Sequence, residues 1–189
     1  MFFGIFATFK KGTSFQSAGE EGHAKEIMRN HYPAFQDVHI MIFVGFGFLM
    51  CFLKSHNWSS IGYNYLLACW SIQITILWGH FWRQVMKYYD NPNHEFEMIE
   101  LTTETILEAE FGAASVLITM GAILGKCSLV QLFGMANINV FFYTLNRYIV
   151  FSIYKTTDIG EAMTIHSFGA YFGVATSWFF RPSVAKADK

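Results

Sequence analysis

The chain has 189 residues and a net charge of −1, with 53% hydrophobic, 19% aromatic and only 14% charged residues. A soluble domain carries about 25% charged residues, so this composition, with a mean hydropathy of +0.29, argues for an integral membrane protein and against nucleic acid as a partner. Cys51, Cys69 and Cys127 lie far apart among apolar neighbours, which gives neither a metal-ligand spacing nor a disulfide framework and reads as three small buried hydrophobes.

Residues 1–31 form an arm of their own. "MFFGIFATFKK" is apolar for about nine residues and then basic. That is too short to cross a bilayer, and it is expected to lie at the interface as an anchor or to pack on a neighbour. No cleavage site of a signal peptide follows it. The polar stretch after it contains "EEGHAKEIMRNH", enough for a turn or two of helix.

Five windows then approach the roughly 20 apolar residues that a membrane helix needs. They are Val38–Leu53 (extendable back to Phe35), Ile61–Trp82, and about Ile106–Leu124, Leu129–Tyr154 and Ala162–Phe180. None alternates with the period of two that a barrel strand requires. Short connections after the first and third make their neighbours antiparallel. One longer loop, about Arg83–Thr105, is acidic, with a turn marked by Pro92 in "DNPNH". Trp58, Trp78, Trp82, Tyr88, Tyr89 and Trp178 fall near segment ends, where aromatic belts form. Lysines and arginines are shared almost evenly between the two sides, so they do not orient the protein. The fold class is therefore all-α, a bundle of five transmembrane helices over residues 32–180, followed by a polar tail, residues 181–189.

Small residues punctuate these windows: Gly45 and Gly47 in the first, Gly121 and Gly125 at the end of the third, Gly169 and Gly173 as a GxxxG pair in the fifth. They are expected to let helix backbones approach closely. Glu108, Glu110, Asn137, Asn139, Asn146, Arg147 and His166 also fall in or beside the windows. An ionisable group at a helix centre costs at least ~2.5 kcal/mol, so each needs a partner or a cavity. Arg147 has Asp158 and Glu161 as sequence-near acids. His166 suits either a pore or proton-relay role or an interhelical hydrogen bond, because a neutral imidazole donates and accepts at once. Asp158 is separated from it by two helical turns, roughly 12 Å, too far for a direct pair through chain proximity.

Three segments carry a resemblance. "YPAFQDVHIMIFVGFGFLM" (32–50), "GAILGKCS" (121–128) and "MTIHSFGAYFG" (163–173) closely resemble, in order and spacing, the first, third and fifth core helices of the ammonium transporter and Rhesus glycoprotein family, on its Rhesus side. That family's fold has two inverted five-helix halves with a pore between them, assembled as a trimer, and conducts ammonia or ammonium, with carbon dioxide suggested for some members. The resemblance implies that His166 matches the first of the twin pore histidines. It implies that Phe111 matches an outer gate phenylalanine, and that Asp158 matches a buried structural aspartate near the recruitment site. One position departs: the residue after Asn146 is usually acidic in the Rhesus pattern and is Arg147 here. The expectation is one inverted-repeat half of that fold, lacking the second pore histidine and the second gate phenylalanine.

One half gives one wall of a pore. Two readings follow. The chain is a truncated, non-conducting structural or accessory subunit buried in a larger membrane complex, with His166, Phe111 and Asp158 vestigial. Alternatively it is a half-transporter that conducts ammonia, ammonium or carbon dioxide after pairing with a second half. The expected partners are other membrane protein subunits and lipids, with ammonia or ammonium as a ligand if it conducts. No nucleophile–base pair, metal cluster or phosphate loop points to an enzyme, a cofactor or a metal. The location is a membrane crossed several times. The apolar, basic start suits an organelle such as the mitochondrial inner membrane, with the plasma membrane as the alternative.

Overall fold

A computed structural model describes residues 7–9, 21–52 and 58–180, with the backbone alone described for 8–9 and 21–30. Five helical rods dominate these residues. The first begins at Glu21, well before the expected start. It runs as α1 (Glu21–Ile40), through one π-helical turn (Met41–Gly45), into α2 (Phe46–Cys51). Residues 21–31, read above as part of a separate arm, are thus continuous with the first rod. Pro33 sits inside α1 without ending it.

The second rod, α3, covers Trp58–Asp90. At 1.5 Å per residue it is about 50 Å long, against about 30 Å of hydrocarbon. It runs past Trp82, where a loop was expected, because "RQVMKYYD" has no helix breaker and because the following segment folds back onto it. Gln84 is buried there, and Lys87 Nζ donates to Glu97 Oε2 at 2.6 Å. His80 Nε2 donates to the Glu97 carbonyl at 2.8 Å. The loop shrinks to residues 91–98. It turns where the Asn93 amide donates to Asn91 Oδ1 and the His94 amide donates to the Asn91 carbonyl.

A short strand, β2 (Ile99–Leu101), then pairs in parallel with β1 (Ala7–Phe9), with Ala7 opposite Ile99 and Phe9 opposite Leu101. The apolar start of the chain, expected either at the membrane interface or packed on a neighbour, is at residues 7–9 paired to β2 by a backbone ladder. Residues 1–6, 10–20, 53–57 and the tail from 181 lie outside the described residues.

The remaining rods are α4 (Thr103–Ile123), α5 (Leu129–Tyr148) and α6 (Phe168–Phe179). Thr102 caps α4 by accepting from the Thr105 amide at 3.1 Å. Ser128 and Gln131 form a reciprocal capping box at the start of α5. A π-helical stretch (Ile149–Ile153) extends α5. A 3-10 turn (Ile159–Glu161) and a second π-helical stretch (Ala162–Ser167) lead into α6.

Helix α4 is the hub, packed against α1, α3, α5 and α6. Its unbroken run Gly112–Leu117 is buried. Small residues make this crowding feasible, as expected where packing drives association. A Cβ on Gly169 would stand 3.0 Å from the Ser115 carbonyl oxygen of α4, and one on Gly173 3.0 Å from Ala122 Cβ. The GxxxG pair is therefore spent inside this chain. Gly47 lies against Tyr65 and Asn64 of α3, and Gly121 against Met50 of α2. Gly125 instead makes the turn after α4, at φ 77°, a conformation open to glycine without strain. Gly45 faces only Met41 of its own helix. Cys51 and Cys127 are half-buried, but Cys69 is exposed on α3, so it is not the buried hydrophobe expected.

Two of the helices, His31–Cys51 and Thr103–Ile123, are long and apolar enough by composition to cross a membrane. In α3 and α5 the length is sufficient, but polar residues lower the average, and several of these point inward while Gln73 and Gln131 stay exposed. Asn64, Ser71, Thr75, Asn139 and Thr144 are buried. One chain of hydrogen bonds ties three helices together. Ser115 Oγ donates to Asn139 Oδ1 (3.2 Å), Asn139 Nδ2 donates to Thr119 Oγ1 (2.9 Å), and Thr119 Oγ1 donates to the Gly169 carbonyl (3.0 Å).

Candidate functional site at the start of the last helix

The segment between α5 and α6 gathers the charged residues that the hydrophobic windows left unexplained. Its backbone is unusual. Gly160 has φ 76°, and Glu161 follows in the left-handed region at φ 50°, ψ 40°. For a residue with a Cβ this costs on the order of 1–3 kcal/mol and persists only where surroundings fix it. Asp158 does part of that fixing. Its Oδ2 accepts from the Met163 amide (3.0 Å), the Thr164 amide (2.9 Å) and Thr164 Oγ1 (3.0 Å). The backbone N–H of Thr164, aided by the other donors, holds the Asp158 carboxyl below the usual carboxylate range. Orphan amides at a helix start take this kind of anionic acceptor well.

Glu161 turns inward, with its side chain only 13% exposed. Its Oε2 accepts from the hydroxyl of the fully buried Tyr143 (3.4 Å) and stands 3.2 Å from Thr164 Oγ1, whose single proton it shares with Asp158 Oδ2. Its Oε1 lies 3.6 Å from Arg147 Nη2, and the same nitrogen is 3.3 Å from Glu108 Oε1 on α4. Of the two sequence-near acids, the guanidinium thus reaches Glu161, and it adds Glu108 from another helix. The sequence flagged Glu108 only as an unpaired charge, because a contact across elements leaves no local spacing.

His166 lies on the π-helical stretch and is exposed. Its Nδ1 donates to the Glu161 carbonyl at 3.3 Å, which leaves Nε2 of a neutral ring as an acceptor. Beside it, Asn146, Met163, Ser167, Phe168, Tyr171 and Phe172 line an open groove of about 340 Å³. Met163 is 50% and Tyr171 78% exposed, so this face of the bundle is uncovered by the described residues. Asp158 caps the π-helical stretch that carries His166, through the Met163 and Thr164 amides, and no direct bond between the two side chains is present among the described residues. Phe111 is half-buried against the core, one turn beyond Glu108 on α4. A second buried acid was not anticipated as a pair: Glu110, wholly buried, is bonded through Oε1 to His39 Nδ1 on α1.

The sequence model of the Ammonium Transporter Family matches residues 1–189, beyond the 32–180 that carry the three motifs. This chain belongs to the ammonium transporter family. Among its curated relatives, an ammonium transporter Rh type B of Oryzias latipes is 40% identical over 98% of this chain and 40% of its own length. One of Danio rerio is 44% identical over 82% of this chain and 32% of its own length. An ammonium transporter Rh type C of Sus scrofa is 42% identical over 84% and 33%. The chain thus spans about 40% or less of the length of these relatives. Membership settles the membrane setting of the bundle, and its five rods are consistent with one half of an ammonium transporter.

Proposed function

We propose that this family member supplies one wall of an ammonium or ammonia pathway, with His166 on the conducting face and a second wall contributed by protein outside the described residues. One observation carries this reading: a histidine with a free accepting nitrogen lies on an uncovered, partly polar face, positioned by a strained and heavily bonded turn. Lipid cannot satisfy such polar groups, so a protein surface is expected to close over them. Phe111 and Asp158 fit the same reading as a gate aromatic and a structural aspartate. The twin-histidine arrangement would then need its second member from the covering wall.

A specific observation also favours the non-conducting alternative, a structural or accessory subunit of a larger membrane assembly. The Arg147 guanidinium lies between Glu108 and Glu161 and so ties α5 to α4 and to the turn before α6, as a structural ion-pair cluster does. The two readings part in one experiment. Membranes holding the native protein are pulsed with ammonium, and the rate of internal alkalinisation is followed. Conduction predicts a rate above that of membranes lacking the protein, falling toward that background with His166→Ala. A rate equal to background, unchanged by His166→Ala, with the chain still co-purifying with membrane partners, selects the accessory role.

A further inference from the structure

The Glu108–Arg147–Glu161 cluster and His166 meet at a single residue. Glu161 is bonded in two directions. Its carboxylate faces inward, to Arg147 and Tyr143 on α5, while its backbone carbonyl accepts from His166 Nδ1. We infer that Arg147 and Tyr143 are positioning residues for His166. By gripping the Glu161 carboxylate they aim the Glu161 carbonyl at Nδ1, and so select the imidazole tautomer that keeps Nε2 free as an acceptor.

A carbonyl oxygen only accepts, so the 3.3 Å contact requires the proton on Nδ1. In a neutral ring the bond made by one nitrogen decides the tautomer. The direction of that carbonyl depends in turn on the left-handed Glu161 backbone, φ 50°, ψ 40°. A residue with a Cβ stays in this region only where its surroundings hold it, and a return to the right-handed region would swing the carbonyl away from the ring. Glu161 is held at both ends. Its amide donates to the Asp158 carbonyl at 3.1 Å, and its carboxylate lies 3.4 Å from the Tyr143 hydroxyl and 3.6 Å from Arg147 Nη2. Arg147 is itself tied to α4 by Glu108 at 3.3 Å, and its Cζ stands 5.1 Å from the centroid of the Phe151 ring, a cation–π distance. Neither Arg147 nor Tyr143 lines the groove beside His166, so both act on the imidazole through Glu161. The tautomer is set whether or not the chain conducts. Only the use of Nε2 as an acceptor along a pathway rests on the function proposed above.

Nitrogen NMR of the full chain in lipid bilayers, with isotopically labelled histidine, tests this at about pH 9, above the ordinary imidazole range. The His166 signals are identified by their loss in His166→Gln. In the unsubstituted chain the proton is expected on Nδ1. Arg147→Ala is expected to lower the ratio of Nδ1–H to Nε2–H roughly two- to tenfold, the weight of about one hydrogen bond. Both acids contact Nη2 alone, so the single ammonium of Arg147→Lys is expected to recover part of that loss. Tyr143→Phe removes only a hydroxyl and is expected to lower the ratio in the same direction, and it carries the test should Arg147→Ala not fold. The inference is overturned if the unsubstituted chain holds the proton on Nε2, or if these variants lower thermal stability and leave the ratio unchanged. A background rate in the ammonium pulse leaves the ratios as they are, so a failure of conduction and a failure of this inference are told apart.

Discussion

Asp158 shows how one side chain can hold a turn. Its carboxylate binds donors that exist only in the folded turn, so its folded pKa lies below its unfolded one. The sign follows from linkage: the stabilisation is fully present above the unfolded value, about 3.9 for Asp, and is lost as pH falls through the folded value beneath it. The protection of the Met163 and Thr164 amides, relative to the unstructured rate at the same pH, is expected to hold down to about pH 4 and to fall below it. Asp158→Asn removes that pH step and speeds exchange at neutral pH. Equal protection across this range in both forms would show that the carboxylate does not set the turn. The aspartate was legible in the sequence through its motif. Glu161 was legible only as a charge near Arg147, since its left-handed backbone and its inward turn depend on Tyr143 from another helix.

Single helices show where sequence reading works and where it stops. The five rods were visible because each buries apolar residues over helical length. Their ends were harder. α3 overran its expected limit because the loop residues His94 and Glu97 bond back to Gln84 on it, which no window average records. The glycines were legible as packing residues, but not which helix each one meets. The tightest contact is at Gly112, one of the small residues of the third window, where an added Cβ would stand 2.7 Å from Thr75 Cγ2. Gly112→Ala is expected to destabilise by about 1–3 kcal/mol through overpacking of α3 on α4. Gly112→Ala/Thr75→Ala is expected to recover most of that loss, since it frees the space and also removes a buried hydroxyl that has no partner among the described residues. Thermal unfolding of the four forms checks the pair. Additive losses would place the strain elsewhere.

On the scale of the whole molecule, α4 is enclosed by the other rods, whose outward faces are exposed. Among those outward residues are Met163, His166, Ser167 and Tyr171. The three motifs made the family legible from the sequence, yet they did not reveal the Glu108–Arg147–Glu161 cluster, because ion pairs between helices are written in the packing and not in local order. The account holds that protein, not lipid, lies over the His166 face. A photo-reactive benzophenone amino acid in place of Tyr171, irradiated in native membranes, tests this most directly. The account predicts crosslinks to polypeptide, within the same protein or to a partner subunit. Labelling confined to lipid would contradict it.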